Sequence, residues 1–179
     1  MEMQGKIIAP GVLYFERFFG STLEKVWKYV TDSEKRGKWL AKGDMELFEE
    51  GRVDLYFMHN ELSPTTAPVP ERYRHMQDGH NFTGKVLHIK PPHLLSFTWE
   101  DGSEVTIELS EHNDGVLLRL THRKLADDPA TRLSVAAGWH THMGILQNVL
   151  EGSIPPNFWL SFHNIQQVYE VHLPEGNRQ

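Results

Sequence analysis

Cysteine is absent from this chain of 179 residues, and its absence removes several kinds of chemistry. Disulfide bonds, thiolate metal sites and a cysteine nucleophile are all excluded. The sequence also lacks any run of about 18 apolar residues, the length that a helix needs to cross a bilayer. The apolar run between Met1 and Pro10 is too short for a secretory signal peptide. We therefore expect a cytoplasmic protein without a membrane span.

Basic residues are scarce in the second half of the chain. The first ninety residues hold 13 basic and 13 acidic side chains, and the rest hold 5 and 11, so the net charge of −6 arises entirely in the second half. Because nucleic-acid binding needs a basic surface, this distribution argues against nucleic acid as the main partner.

Motifs that would identify a reaction are missing as well. The sequence contains no phosphate-binding loop, no dinucleotide fingerprint and no nucleophile elbow. We therefore predict no cofactor and no metal site, and we assign no catalytic residue.

Aromatic residues, in contrast, are plentiful, with five Trp and nine Phe in a chain that is 39% apolar. The length predicts a single domain over residues 1–179. Because large rings bury much area each, a chain so rich in them can line a cavity as well as fill a core.

The first part of the chain predicts a strand followed by two short helices. Residues Val12 to Phe19 read as the strand. Ser21 with Glu24, and Thr31 with Glu34, have the spacing of a capping box, in which side chains at a helix start bond free backbone N–H groups. We expect one helix to begin at each pair, with the second ending near residue 40.

Alternation of apolar and polar residues predicts a run of half-buried antiparallel strands. The predicted strands are Met45 to Glu50, Arg52 to His59, Phe82 to Lys90, Leu95 to Trp99, Val105 to Leu109 and Val116 to Arg123. The turn sequences Asp101-Gly102 and Asn113-Asp114-Gly115 separate the last three of them.

One long helix and one shorter helix follow the strands. Asp128 before Pro129 is a strong helix start, and the apolar stripe continues to Leu150, with Gly152 as a C-cap. Phe158, Phe162, Ile165 and Tyr169 predict the last helix. This order of elements indicates an α+β fold, in which a curved antiparallel sheet wraps around the long C-terminal helix and leaves an apolar hollow between them.

Several pieces of the sequence carry a family resemblance through their order and spacing. They are Val26-Trp27, Thr31-Asp32, Thr83 to Trp99, Glu104 to Leu109, Leu120-Thr121-His122 and Ala137-Gly138-Trp139. Together they resemble the homologues of the C-terminal domain of the activator of the heat-shock protein 90 ATPase, over about residues 12–152. The resemblance implies the helix-grip fold of the START-like, or SRPBCC, superfamily, with a cavity. Relatives there carry lipids, bind hormones, cyclise polyketides or assist chaperones, so it implies no fixed function.

Two segments depart from the family pattern. The segment from Glu61 to Gly79 holds three prolines and no periodicity, and we interpret it as a functional flap or a mobile segment. Residues 153–172 form a helical extension beyond the core. Both could change access to the cavity, and the terminal helix could pair with a second copy as a homodimer.

Three histidines are candidates for the polar groups of the cavity. Strand parity points His59 and His122 inward, and helical spacing places His140 on the stripe that faces the sheet. Such imidazoles could contact a ligand, bind a metal or shuttle protons. Bonding to the backbone inside the core is the simpler interpretation.

Apolar and small residues are candidates for the ligand-binding wall, because small-molecule pockets are mostly apolar with a few placed polar groups. The predicted wall consists of Phe57, Phe82, Phe97, Trp99, Met143 and Gly144. For any single one of them, core packing is the competing interpretation. Trp139 is predicted to be a packing anchor.

The favoured function is binding of an apolar or amphipathic small molecule between the sheet and the long helix. A protein-binding, co-chaperone-like accessory domain is the first alternative. It would use either the last helix or a basic patch formed by Lys25, Lys28, Lys35, Arg36, Lys38 and Lys42. An enzyme that uses a cavity histidine as acid or base is the second.

Overall fold

The computed structural model describes residues 4–173, which form one seven-stranded antiparallel sheet and four α-helices. The strands are β1 (Lys6–Ala9), β2 (Val12–Phe19), β3 (Arg52–Phe57), β4 (His80–Lys90), β5 (Leu94–Thr98), β6 (Glu104–His112) and β7 (Gly115–Arg123). The helices are α1 (Leu23–Thr31), α2 (Ser33–Arg36), α3 (Pro129–Glu151) and α4 (Phe158–Val171). Two short 3₁₀ helices, His59–Glu61 and Glu71–Met76, lie between β3 and β4.

The sheet has the order β1-β2-β7-β6-β5-β4-β3, so the last strand in sequence lies next to β2 near one end of the sheet. The long helix α3 packs against β2 on one side and α4 on the other. The predicted α+β helix-grip architecture is therefore confirmed.

Alternation along the central strands forms the core. Ile107 on β6 pairs with Leu120 on β7, which in turn pairs with Phe15 on β2. All three side chains are at most 1% exposed. The neighbouring positions Glu16 and Arg119 point the other way and bond each other at 3.2 Å. One face of the sheet is thus apolar and covered by helices, as the sequence pattern predicts.

The long helix begins and ends where its local signals place it. The Asp128 carboxylate accepts a hydrogen bond from the backbone N–H of Thr131 at 2.9 Å. At the other end, Gly152 adopts the left-handed conformation with φ of 74°, which a side chain would disfavour.

Both capping-box predictions are wrong by one residue. The side chain that caps α1 is Thr22, which accepts from the N–H of Lys25 at 3.3 Å, and Asp32 caps α2 by accepting from Lys35 at 3.0 Å. Thr22 and Asp32 are themselves good N-cap residues. The Ser21 hydroxyl is instead buried without a partner in the described part of the chain.

The strand predicted from Met45 to Glu50 does not form. Only an isolated bridge joins Met45 to Val53, and the following residues turn, with the N–H of Gly51 donating to the Phe48 carbonyl at 2.9 Å. Glu50 has a positive φ of 67°, a conformation that ends an extended run. Conversely, β1 was not predicted, although the Pro10-Gly11 turn that joins it to β2 is a local signal.

The segment from 61 to 79 packs onto the start of α4. The Asn157 amide donates to the Thr65 carbonyl at 2.8 Å, and the Ser63 hydroxyl donates to the Pro155 carbonyl at 2.9 Å. Tyr73, in the second 3₁₀ helix, stacks on Trp159 with ring centroids 5.6 Å apart. These contacts fix the segment to the C-terminal extension.

The last helix, α4, contributes its aromatic face to the core and leaves an opposite face in solvent. Phe158, Phe162 and Tyr169 are buried as predicted, whereas Leu160 and Val168 are exposed. Homodimerisation through this helix stays a prediction. Among residues 4–173, no helix combines the length and the hydrophobicity required to cross a bilayer.

Candidate functional site

A cavity of about 200 Å³ lies between the sheet, α3, α4 and the second 3₁₀ helix. Its wall is largely aromatic. The rings are Phe57, Phe82 and Trp99 from the sheet side, Trp139 from α3, Phe158, Trp159 and Phe162 from α4, and Tyr73 from the 3₁₀ helix. The cavity is larger than the roughly 150 Å³ that encloses a benzene ring in an engineered protein core.

One face of α3 forms a side of this cavity. The lining residues are Ser134, Val135, Gly138, Trp139 and His142, which recur at the spacing of a single helical face. A Cβ atom added to Gly138 would meet nothing within 4 Å outside the local helix. The missing side chain of Gly138 is therefore part of the reason that the cavity exists.

His122 belongs to a hydrogen-bonded chain that leads from the cavity to the surface. The Trp139 indole Nε1–H donates to Nδ1 of His122 at 3.0 Å, so Nε2 must carry the imidazole proton. That proton faces the Ser103 hydroxyl at 2.6 Å, and the hydroxyl donates to the Asp101 carboxylate. Both imidazole nitrogens are thus occupied, and the chain fixes the orientation of the Trp139 ring.

This chain contains Ser, His and Asp, but it is not a catalytic triad. In a triad the histidine lies between the serine and the carboxylate, whereas here the serine lies in the middle. Ser103 is also 0% exposed. The arrangement gives Ser103 no route to act as a nucleophile.

His142 has one nitrogen fixed and one free. Its Nδ1 lies 2.7 Å from the backbone carbonyl of Trp39. A carbonyl can only accept, so Nδ1 carries the proton and Nε2 keeps its lone pair. No hydrogen bond within residues 4–173 uses this Nε2.

His59 is the least satisfied polar group of the wall. It is 8% exposed, and its Nδ1 is buried without a hydrogen-bond partner in the described chain. The ring stacks on Phe57 at 5.6 Å and lies 5.7 Å from the His142 ring. Buried polar atoms are normally paired, so the unpaired His59 Nδ1, which no water-sized atom can reach, is a cost to stability carried beside the cavity.

Burial keeps these three imidazoles neutral. It lowers the pKa of His59 to about 3 and the pKa values of His122 and His142 to about 4. For His59, the neighbouring His142 and His80 depress the pKa further. At the outer side of the wall, His80 instead meets the Glu100 carboxylate at 2.7 Å.

The structure brings five of the nine predicted wall residues together: Phe57, His59, Phe82, Trp99 and His122. His59 reaches the wall by a different route from the one predicted, because β3 ends at Phe57 and a 3₁₀ helix carries His59. Whether these residues contact a ligand stays a prediction.

The other four predicted residues lie elsewhere. Phe97 and Met143 are at most 1% exposed and belong to the core, and Gly144 does not line the cavity. His140 lies on another side of α3, 2.8 Å from the Tyr169 hydroxyl. Two residues along a helix rotate the side chain by about 200°, which is why His142 faces the cavity and His140 does not.

Sequence reasoning missed His142, Gly138, His80 and the α4 rings, and it assigned Trp139 to packing alone. The i, i+4, i+8 spacing of Ser134, Gly138 and His142 was the available signal.

The predicted basic patch loses one of its members. Arg36 is 1% exposed, with its guanidinium bonded to backbone carbonyls that include those of Ala41 and Thr31. Lys42 is paired with Glu34 at 3.7 Å. Within residues 4–173, no group of three or more His, Asp or Glu side chains has the arrangement needed to hold a metal ion.

Comparison with known proteins gives a family match and several similar structures. A family model described as Activator of Hsp90 ATPase homolog 1-like protein matches residues 21–151. A protein from Bordetella parapertussis, solved by solution NMR, is 35% identical over 100% of this chain and 96% of its own, with a TM-score of 0.76. No curated protein matches the sequence.

More distant structures share the fold alone. CalU16 from Micromonospora echinospora is 19% identical, with a TM-score of 0.61 over 95% of this chain and 94% of its own. A conserved protein of unknown function from Enterococcus faecalis is 16% identical, with a TM-score of 0.63 over 94% of this chain and 92% of its own.

Proposed function

Because the chain belongs to the family of Activator of Hsp90 ATPase homolog 1-like proteins, we propose that it binds a small apolar or amphipathic molecule in the cavity between its sheet and α3. The observation that carries this proposal is the aromatic cavity beside Gly138, with the imidazoles of His59 and His142 in its wall. Ligand sites are typically apolar hollows with a few placed polar groups.

The size of the cavity limits the ligand. About 200 Å³ accommodates one ring with small substituents. Because the cavity opens to solvent, this volume limits the enclosed part of a ligand rather than its whole length. Removing about 150 Å² of apolar surface from water would contribute roughly 4 kcal/mol before the cost of association. We therefore expect affinity in the millimolar range for the simplest probes.

The cavity also favours binding over catalysis. His122, the residue required by the acid–base alternative, has both nitrogens occupied by Trp139 and Ser103. The protein-binding alternative loses Arg36 from its basic patch. The free Nε2 of His142 could still accept a proton, but burial lowers the pKa of this imidazole to about 4, which makes it a weak base at pH 7.

A pair of glycines on α3 offers a direct test of the cavity. Gly138→Leu is expected to fill the hollow and abolish binding of toluene, measured by NMR shifts of the indole N–H signals of Trp99, Trp139 and Trp159. Gly144→Leu is the matched control, because an added Cβ there also meets nothing within 4 Å, yet Gly144 lies off the wall. Both variants should fold at least as stably as the parent, because glycine costs about 1 kcal/mol within a helix.

The two variants must differ for the proposal to hold. Equal toluene binding by folded Gly138→Leu and Gly144→Leu proteins would contradict binding in this cavity. So would the absence of any indole shift in the unmodified protein at near-saturating toluene.

A further inference from the structure

The proposed binding function leaves open which head group an amphipathic ligand would carry. Resting on that function, we infer that the Glu100 carboxylate binds a cationic head group at the mouth of the cavity. The preferred ligand is then a small amine, with one apolar ring in the hollow and a protonated amino group beside Glu100.

The wall of the cavity carries one acidic side chain and no basic Lys or Arg side chain. Glu100 lines the cavity, whereas no Lys or Arg does so within residues 4–173. Burial keeps the imidazoles of His59, His122 and His142 neutral at pH 7, because it lowers their pKa values to about 3, 4 and 4. The charge that a ligand meets in this wall is therefore set by Glu100 and its partner His80.

The Glu100 side chain can be reached from solvent, and one of its oxygens is unused. It is 39% exposed, and Oε2 lies 2.7 Å from Nε2 of His80. The other oxygen, Oε1, has no hydrogen-bond or ion-pair partner in the described part of the chain. Both oxygens of a carboxylate accept hydrogen bonds, so Oε1 is available to the N–H group of a ligand.

The carboxylate lies next to an aromatic part of the wall. Glu100 directly follows Trp99, and the His80 ring that it contacts lies 6.5 Å from the Phe57 ring and 6.3 Å from the Phe82 ring. The rings of Phe82 and Trp99 are 4.8 Å apart. Organic ammonium ions are bound in such surroundings, because aromatic faces attract a cation. The rings thus suit the apolar body of an amine, and the carboxylate suits its head group.

Two arginines lie near the cavity in sequence but not in its wall. Arg72 and Arg74 belong to the second 3₁₀ helix and are exposed. The Arg72 guanidinium lies over the Tyr73 ring at 5.8 Å, and Arg74 pairs with Glu71. An anionic head group would therefore meet the Glu100 carboxylate without a counter-charge on the wall, which is unfavourable.

The test compares benzylammonium with benzyl alcohol, which have similar shapes and differ in the charge of the head group. We expect benzylammonium to bind about three- to tenfold more tightly at pH 7 and low salt, the range of a partly exposed ion pair next to aromatic rings. Isothermal titration calorimetry or the indole N–H shifts measure both affinities. The preference should shrink as salt is added, because salt screens such a pair. Benzoate should bind more weakly than benzyl alcohol.

Two matched variants assign the preference to Glu100. In Glu100→Gln the amide can still bond His80, and the charge is lost. The ratio of benzylammonium to benzyl alcohol affinity should fall to about one, while the affinity for toluene stays the same and shows that the cavity is intact. Glu111→Gln removes the same charge from an exposed residue of β6 that is off the wall, and it should leave the ratio unchanged.

The outcomes separate this inference from the function it rests on. If toluene, benzyl alcohol and benzylammonium all fail to bind, the proposed function is wrong. If the neutral probes bind and benzylammonium binds no more tightly than benzyl alcohol, the function stands and the cationic head group is wrong. A preference that survives in Glu100→Gln, or that falls equally in Glu111→Gln, would also overturn the assignment to Glu100.

Discussion

Lowering the pH from 7 to 4 is expected to unfold the protein, because three histidines of the cavity wall are buried in the neutral form. Burial lowers the pKa of His59 to about 3 and those of His122 and His142 to about 4, whereas an unfolded histidine titrates near 6.5. Between pH 4 and 6.5 these histidines bind protons in the unfolded chain but stay neutral in the folded chain. Stability is therefore complete above about pH 6.5 and is lost as the pH falls toward 4.

The free energy of unfolding is expected to fall steeply as the pH decreases. Burial also lowers the pKa of His140, on another side of α3, to about 4. Each such histidine removes about 1.4 kcal/mol of stability per pH unit within its window, so the four together remove about 5 kcal/mol per unit near pH 5. Folded domains typically hold 5–15 kcal/mol, so the reserve is exhausted within a few pH units. Denaturant unfolding monitored by tryptophan fluorescence at pH 7, 6 and 5 measures this slope directly.

One substitution checks the origin of the slope. His142→Asn removes one of the four titrating groups and should reduce the pH dependence by about a quarter, whatever it does to stability at pH 7. His163→Gln changes an exposed imidazole on α4 and should leave the slope as it is. A free energy of unfolding that stays constant from pH 6.5 to 5 would rule out neutral burial of the wall histidines.

The elements that the sequence predicts well are those specified by neighbouring residues. The bounds of α3 follow from Asp128, Pro129 and Gly152, whose effects are local. The pairing of β6 with β7 follows from alternation along β6, from alternation along β7 that only Leu117 interrupts, and from the short turn at residues 113–115. Neither prediction requires information about residues that are distant in the sequence.

The wall of the cavity is harder to predict, because it depends on how a helix is rotated against a sheet. Ala136 and Ala137 are fully buried, and this close packing turns His142 toward the cavity and His140 toward Tyr169. The spacing of apolar residues alone does not show whether the face with His140 or the face with His142 turns toward the cavity. The α4 rings reach the wall through docking of the extension, which no local pattern encodes.

Replacing each of two buried arginines by methionine is the second change with a large expected effect. The free energy of unfolding should fall in one variant and rise in the other. Arg36 is 1% exposed and Arg17 is 2% exposed, and burial lowers the pKa of each to about 10. Both are therefore cationic at pH 7 and both carry the cost of leaving water. They differ in what their nitrogens contact.

All three guanidinium nitrogens of Arg36 donate hydrogen bonds to backbone carbonyls. Its Nη1 donates to the carbonyls of Val30 and Thr31, at 3.3 and 3.0 Å, which are the last two residues of α1. Its other nitrogens donate to the carbonyls of Ala41 and Gly43. A cation at a helix C-terminus is favourable, and these carbonyls would lose their partners without it. We expect Arg36→Met to lower the free energy of unfolding by about 3–5 kcal/mol.

The Arg17 guanidinium makes few hydrogen bonds that could offset the cost of its burial. Its Nη1 donates to the Glu16 carbonyl at 3.1 Å, but Nε and Nη2 are buried without partners in the described chain, and the nearest compensation is the face of Phe15 at 5.6 Å. Replacing an unpaired buried charge by an apolar side chain of similar length is often stabilising. We expect Arg17→Met to raise the free energy of unfolding by about 1–2 kcal/mol and the melting temperature by about 2–6 °C.

Thermal and denaturant unfolding of the two variants, beside Lys38→Met as an exposed control with the same change of charge, measures the contrast. The control should stay within about 0.5 kcal/mol of the parent. If Arg17→Met is destabilised as much as Arg36→Met, the Arg17 guanidinium has a partner in solution that its unpaired nitrogens do not indicate. Since Arg17 and Arg36 are buried to nearly the same degree, a difference of sign would identify the contacts of the guanidinium group, rather than its burial, as the cause.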